Sequence, residues 1–567
     1  GLLGILILAG HAQVFVYVSY TLGLYTLFCL IERYRSVGFH ASLLHVSSIA
    51  AVVMVTGFGM AAVALLPMIE LIPHALRPDV TYEVATSYAR HPQELITLLM
   101  PDFYGRMEPS QWNYWGPGSG EYGHFWETHS YFGILPLMLT CVALTLKRTR
   151  LILFLAILAV LTLLLSMGEA TPLHRFAYDL VPGFDRFRGA ARFSILYGFA
   201  VAVLSGFAVD SLRQMKPTDQ LRLNMCLKII GGVFVVAILI YVAAGDIVSG
   251  WLAGSTEFQD LARQSIAIHT RSLVILLFLS GGLIIAWSRV RKAHGVMLFA
   301  AAILIFFDLY FAGYEFNANL KSPDAYYPRS NLINFLEERQ ALEGGRARTR
   351  QTRSLLMTRN AGVLYRIQTM EGYLSPLRLS ITTPPLYSDE LMNVKYRIKV
   401  DDKTDSAVLV SNPITMPSAY VVRNFVVAEG RENVAEAMQD STFDFRTTVT
   451  LDAKPSLDIQ PESFPASEKP NFTNYEPNSM TIMVDMESPG LLVLGEVYYP
   501  AWQAYVDGKT ERIYRANATI RAIPLSAGTH TVELRYESAS FRMGVMISCV
   551  GLVVVVFNLG MLLRRRK

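Results

Sequence analysis

Residues 182–193 read PGFDRFRGAARF, with three arginines, Arg186, Arg188 and Arg192, set against an apolar run that starts at Phe193. Basic residues beside a membrane span usually mark the cytoplasmic side. Whether these three lie on that side decides how many spans the chain has and which way each one runs.

The chain has 567 residues, 52% of them hydrophobic and 17% charged. A soluble globular protein carries about 25% charged residues. The deficit comes from apolar runs in the first 313 residues and one more near the end. A helix needs roughly 20 apolar residues to cross a bilayer. Nine spans are predicted, at about 8–30, 43–66, 130–146, 151–167, 191–211, 228–244, 270–287, 295–313 and 542–563.

The tail RRRK (564–567) should be cytoplasmic, and spans must alternate. Counting back, the loops with Arg289, Arg291 and Lys292, with Arg213, Lys216, Arg222 and Lys228, with KRTR at 147–150, and with Arg33 and Arg35 all fall on the tail's side. The segment 168–190 then faces outside, and its arginines are not topological anchors. A guanidinium outside the membrane can hold a carboxylate or a phosphate through paired hydrogen bonds. The local reading pairs these arginines with Asp179, Asp185 or lipid head groups. The functional reading is an anionic, lipid-linked substrate.

The expected fold class is a multi-pass α-helical membrane protein with a C-terminal external domain that runs from mixed α/β into a β-sandwich. Residues 1–313 form the polytopic part, with about eight spans and a long external loop at 67–129. Residues 314–479 form an external α/β region, 480–541 an external β-sandwich with one packed and one wet face, and 542–567 the last span and basic tail. The pair Asp507–Gly508 marks a hairpin, and two more strands are expected about Ala527–Gly528. The basic run 344–353 reads as a solvated strand or loop. Cys29, Cys141, Cys226 and Cys549 lie in or beside spans, so no disulfide framework is expected outside. No metal-ligand spacing appears, and nearly balanced external charge argues against nucleic acid as a partner. Gly1 opens into an apolar run without an initiator Met, a basic start or a cleavage site, so further spans are expected upstream.

The loop 67–129 exceeds the length at which structureless loops are common. HPQELITLLMPDF (91–103) fits a short interfacial helix, and Trp112, Tyr114, Trp115, Tyr122 and Trp126 fit an aromatic belt. Among its acids Glu127 stands out, directly before a span, where an acid is costly unless paired or wet. Arg188 or Arg192 is the expected partner. Glu70 has the same status at the end of the preceding span, and His11 and Gln13 lie near the outer end of theirs. These four, His11, Gln13, Glu70 and Glu127, either tie helices together or line a polar cavity open to the outside.

The strings GHAQ, LLPMIEL, PDFYG, ETHSYFGILPL, LSMGEATPLHRFAYDLVPGFDRFRGAARF, FFDLY, LMNVKYRI and YYPAWQAYVDGKTERIYRANATIRAIPLSAGTHTVELRY resemble the bacterial YfhO family, in matching order along nearly the whole chain. The family often has a proline between the two arginines where this chain has RGAAR. The resemblance implies a GT-C-type glycosyltransferase-like fold in the bacterial cytoplasmic (inner) membrane. Such enzymes move a sugar from a polyprenyl-phosphate carrier to an acceptor outside, here a cell-envelope glycan or polymer; one branch is linked to teichoic acid glycosylation. Their essential acid usually sits in the first external loop, expected upstream of Gly1. Asp102 and Glu127 are therefore only weak candidates for the catalytic base. The chemistry needs a carboxylate, worth roughly 10²–10⁴ in rate, and a cation for the leaving phosphate. Arg186, Arg188 and Arg192 are the expected phosphate ligands; no cofactor is evident, and a divalent metal is the alternative cation. Tyr498, Tyr499 and Trp502 are candidate sugar-stacking residues, against the competing reading of YYPAWQAYVDG as a packed strand pair. A transporter or flippase of lipid-linked sugars, which would place charges at mid-membrane depth, where the sequence offers few and the main exception, Asp308, lies toward the outer end of its span, and a non-catalytic envelope-assembly protein are the competing classes.

Overall fold

The computed structural model describes residues 1–74, 80–105, 107–108, 111–112, 114–118, 124–254, 258–290, 293–314, 327, 329–342, 346–351, 361–370, 384–401 and 406–565. The chain is a multi-pass helical membrane protein with a C-terminal β domain. Among the described residues, seven helices are long and apolar enough to cross a membrane. In chain order the principal helices are α1 (Ala12–Val37), α2 (Phe39–Leu71), α3 (Ile134–Leu146), α4 (Arg150–Ser166), α5 (Pro172–Leu180), α6 (Ser194–Arg213), α7 (Asp219–Ala253), α8 (Gln259–Arg289), α9 (His294–Gly313) and α10 (Ala539–Arg565). Helices α3 and α4, with 13 and 17 residues, are shorter than a full span. The chain divides into two compact units, one of Gly10–Val52 with Asp79–Leu320, the other of Gly1–Ala9, Val53–Pro78 and Lys321–Lys567.

In the first of these, α3 and α6 form the centre. Lipid tails give apolar side chains no reason to leave them, so packing relies on small residues and interhelical hydrogen bonds. Ala143, Ala200 and Ala208 are buried, and the Ser205 hydroxyl donates across to the Pro136 carbonyl at 2.9 Å. Asp308, the acid inside α9, accepts from the Tyr131 hydroxyl at 2.8 Å and the Ile134 N–H at 2.9 Å. It thus satisfies an otherwise orphaned donor at the start of α3. Far along the helices, Arg150 pairs with Glu32 at 2.8 Å, Lys147 with Asp210 at 3.0 Å, and Gln220 donates to Ser288 at 3.4 Å. The four basic loops of the sequence are therefore linked at one end of this bundle. Arg291 and Lys292 lie outside the described residues.

In the other unit α10 crosses the C-terminal half of α2 with backbones almost touching. A Cβ at Gly544 would sit 2.6 Å from the Ala62 carbonyl, and one at Gly551 would sit 2.8 Å from the Met60 nitrogen. Between them Ser548 accepts from the Val63 N–H at 3.0 Å.

The β domain contains strands β1 (Arg348–Gln351), β2 (Val394–Asp401), β3 (Ser406–Ser411), β4 (Ala419–Val422), β5 (Asn424–Val427), β6 (Thr448–Leu451), β7 (Asn471–Glu476), β8 (Ser479–Met486), β9 (Gly490–Val497), β10 (Trp502–Val506), β11 (Lys509–Glu511), β12 (Tyr514–Ala516), β13 (Ile520–Leu525) and β14 (Gly528–Tyr536). They form sheets β4-β9-β13-β12-β6-β5 and β11-β10-β14-β8-β7, and a three-stranded sheet β1-β2-β3. The hairpin at Asp507–Gly508 joins β10 to β11, with both residues at positive φ, as the two-residue turn requires. Strands β13 and β14, by contrast, do not pair; they belong to opposite sheets.

Three sequence expectations are corrected here. The sheets draw strands from Ala419 onward, ahead of the predicted start at 480. The wet face holds for β8, whose burial alternates, but β9 and β13 are buried on both faces. Leu492 and Leu494 pack between the sheets, while Leu491 and Val493 pack on the far side against Val434 and Met438 of the helix Arg431–Gln439. A continuous apolar run such as GLLVLG is the signature of a strand covered twice. Within the described part of the basic run, 346–351, the arginines are not simply solvated either: Arg348 is buried against Glu496 at 2.8 Å, and Arg350 pairs with Asp389 at 2.5 Å.

Candidate functional site

The segment that follows α5 wraps back over the start of α1. Gly189 adopts φ 82°, and the chain turns there into a short 3-10 segment, Ala190–Phe193, that leads into α6. Phe193 stacks on Tyr17 with ring centroids 3.9 Å apart and on Phe184 at 5.4 Å. This apolar wedge fixes where the arginines point.

Arg192 is bound on all sides. Its Nε donates to Glu127 Oε2 at 2.6 Å and its Nη2 donates to Glu127 Oε1, a two-pronged pair, while Nη1 donates to Gln13 Oε1. Gln13, 4% exposed, passes the constraint on: its Nε2 donates to the Tyr17 hydroxyl at 2.7 Å and to the Arg188 carbonyl at 2.6 Å. The Arg188 side chain itself is exposed, 5.9 Å over the Tyr88 ring. Arg186 is exposed with Asp185 at 3.5 Å. The structure therefore brings Gln13, Glu127, Arg188 and Arg192 together, with Arg192 neutralised and the other two guanidiniums facing outward. His11 caps α1, its Nδ1 accepting from the Val14 N–H at 3.4 Å. Glu70 belongs to the other unit, where its charge lies near Tyr499 and Tyr536. Asp102 sits in the turn 101–104, its carbonyl accepting from the Gly105 N–H at 3.0 Å.

A neighbouring polar nucleus was not singled out in the sequence. Arg90 is fully buried. Its guanidinium donates to the Glu94 and Thr128 carbonyls at 3.4 and 2.5 Å, to Thr97 at 3.3 Å, to Ser194 at 3.4 Å, and to Ser130. Its own N–H reaches the Ser166 carbonyl at 2.9 Å. One residue thus ties the end of α4, through its backbone, to the approach to α3 and the start of α6, through its side chain. Glu94, 2% exposed, accepts from the His91 N–H at 2.7 Å and from Tyr114 at 3.1 Å, and lies 3.2 Å from His124 Nε2. Burial pushes the Glu94 carboxyl up, but His124, the His91 N–H and Arg90 outweigh it and hold the group below its ordinary range. Burial also lowers the Arg90 guanidinium. The available signal was the one used for Arg188: Arg90, too, is a base in a loop assigned to the outside.

This packing overturns two expectations for the long loop. HPQELITLLMPDF is not an interfacial helix; Pro92–Leu98 is a 3-10 turn with Glu94, Thr97 and Leu98 buried, as is Phe103 beyond it. Trp115 is not in a belt but buried with Phe103, Tyr104 and Leu252, and the Tyr114 hydroxyl is held by Glu94. Trp126 is 42% exposed; Tyr122 and the Trp112 side chain lie outside the described residues. In the β domain, Arg521 covers the Trp502 ring at 4.1 Å and Tyr536 meets its edge. Burial pushes that guanidinium down to about 10. Arg515 lies over Tyr498 at 4.8 Å, and Tyr499 contacts Tyr536 and His74. These rings are packed within their own unit. Among the described residues, no three His, Cys, Asp or Glu side chains gather as a metal set.

Comparison with known proteins bears on this arrangement. Residues 465–548 match the family described as "Bacterial membrane protein YfhO". The chain is similar to a protein of Bacillus subtilis (strain 168) described as "Uncharacterized protein YfhO", with 27% identity over 101 residues, covering 18% of this chain and 11% of that protein. The matched stretch is thus a small part of the relative's length. No solved structure matches the chain.

Proposed function

We propose that this chain, whose C-terminal region matches the YfhO family of bacterial membrane proteins, is a glycosyltransferase of the GT-C type. In this reading it moves a sugar from a polyprenyl-phosphate carrier to a cell-envelope acceptor on the outer face of the cytoplasmic membrane. The observation that carries the proposal is the division of labour among three arginines at one end of the helix bundle. Arg192 is consumed by Glu127 and positions Gln13; Gln13 grips the Arg188 carbonyl; Arg188 and Arg186 present unburied guanidiniums.

A leaving phosphate develops charge as the sugar–oxygen bond breaks. A guanidinium can meet two phosphate oxygens at once, and preorganised donors stabilise that charge without reorganising in the reaction. Arg188 and Arg186 take this role. Arg192 is a positioning residue, because its charge is already balanced. Glu127 is not assigned as the base, since both of its oxygens are engaged. The transporter alternative loses its main support, because Asp308 caps α3.

The test is transfer of labelled sugar from a lipid extract in membranes carrying the full-length protein. Replacing both Arg186 and Arg188 by Ala should lower transfer by about 10²-fold with membrane insertion unchanged. Normal transfer by the double variant would end the phosphate assignment.

A further inference from the structure

Helix α5 joins the ends of two apolar helices, α4 and α6, and shows a face that none of the described residues covers. Its inner side is fixed: His174 and Ala177 are buried, the His174 ring meets Phe184 at 5.1 Å, and the Tyr178 hydroxyl donates to the Val80 carbonyl at 2.7 Å. Its outer side splits into two rows. Arg175 and Asp179 pair at 2.8 Å, one turn apart, and Arg175 lies over Tyr82 at 4.7 Å. Beside them Phe176 and Leu180, also one turn apart, are 64% and 63% exposed.

We propose that α5 is an interfacial helix whose Phe176 and Leu180 side chains insert among lipid acyl chains at the head-group boundary. Residues four apart share a helix face, so the two apolar groups enter together while the Arg175–Asp179 pair stays in the polar zone. A short helix with one charged and one apolar edge suits that plane. The bilayer is the occupant to commit to because α5 is held between the ends of α4 and α6. A connection pinned there meets the membrane boundary on whichever side it lies. Leaving two large apolar side chains in water would forgo the free energy of removing them from it. Arg186 and Arg188 follow within eight residues of Leu180, so insertion sets their guanidiniums at phosphate depth. That last consequence rests on the transferase reading; the insertion does not.

The experiment uses the full chain with its four cysteines replaced by alanine, and single variants Phe176→Cys, Leu180→Cys, Arg175→Cys and Asp179→Cys. Each is labelled with a nitroxide and reconstituted in nanodiscs of phosphatidylethanolamine and phosphatidylglycerol. At 176 and 180 oxygen accessibility should exceed that of a nickel chelate, and at 175 and 179 the order should reverse. Nickel accessibility at 176 and 180 equal to that at 175 and 179 would overturn the proposal, as would protection of both from either reagent, which would indicate a protein covering. Lipid-facing labels combined with no sugar transfer by the parent protein would end the transferase assignment and leave the insertion standing.

Discussion

Replacing Arg90 by methionine will cost the protein more stability than any other single change in the long loop, about 3–5 kcal/mol. The guanidinium makes five hydrogen bonds in a site sealed from water. Methionine keeps much of the side chain's length and none of the donors. Each acceptor left buried and unpaired costs about 1–3 kcal/mol, and the losses overlap because the groups share one site. The expected readouts are a lower melting temperature of the purified protein and faster proteolysis within 80–130. Arg90→Lys should recover only part of the loss, because one ammonium cannot copy a planar fork. An unchanged melt for Arg90→Met would remove the nucleus from the account.

The same melts carry a pH dependence of known sign. Glu94 is held low in the folded state, so its contribution is complete above the unfolded glutamate value of about 4.3. It is lost as pH falls through the lower folded value. Removing Arg90 removes one of the groups that lower Glu94, so the variant should lose less stability on acidification than the parent, starting from the same pH and finishing at a higher one.

The second large effect is expected at Glu127. The pair with Arg192 is roughly three-quarters buried, with side-chain exposures of 26% for Arg192 and 21% for Glu127. Glu127→Gln leaves the guanidinium without a counter-charge in a partly dry site. The cost should be about 2 kcal/mol, below the 3–5 kcal/mol seen when a fully buried pair is broken and above that of an exposed one. The loss should appear in melting, with the residual folded protein still transferring sugar. Exchanging the two residues, Glu127→Arg with Arg192→Glu, should restore part of the stability, and a double-mutant cycle gives the coupling directly. If Glu127→Gln melts like the parent but abolishes transfer, Glu127 is a catalytic acid or base and the pairing is incidental.

Much of this architecture was legible in the sequence because its signals are local. Long apolar runs gave the helices, Asp507–Gly508 gave a hairpin, and the placement of Glu127 before a span pointed to an arginine. What could not be read was which of several outside arginines would be buried. Arg90, Arg188 and Arg192 look alike in sequence; only the fold puts Thr97, Ser130 and Ser194 around the first, Glu127 around the last, and water around Arg188. The interfacial segment was misplaced for a related reason. LITLLM has the right apolar spacing, but Arg90 and Glu94 draw that stretch inward, and the exposed apolar pair falls in α5, where PLHRFAYDL is too mixed to stand out. In the β domain, alternation located strands but could not show that β13 and β14 go to different sheets, because that depends on partners distant in sequence.

The account rests on the arginine segment facing away from the cytoplasm. In a chain whose four cysteines are replaced by alanine, Asp185→Cys puts a thiol beside Arg186, and intact cells can be treated with a membrane-impermeant maleimide. Labelling from outside, before any permeabilisation, is the expected result. A thiol reached only from the cytoplasmic side would contradict the proposed function at its root.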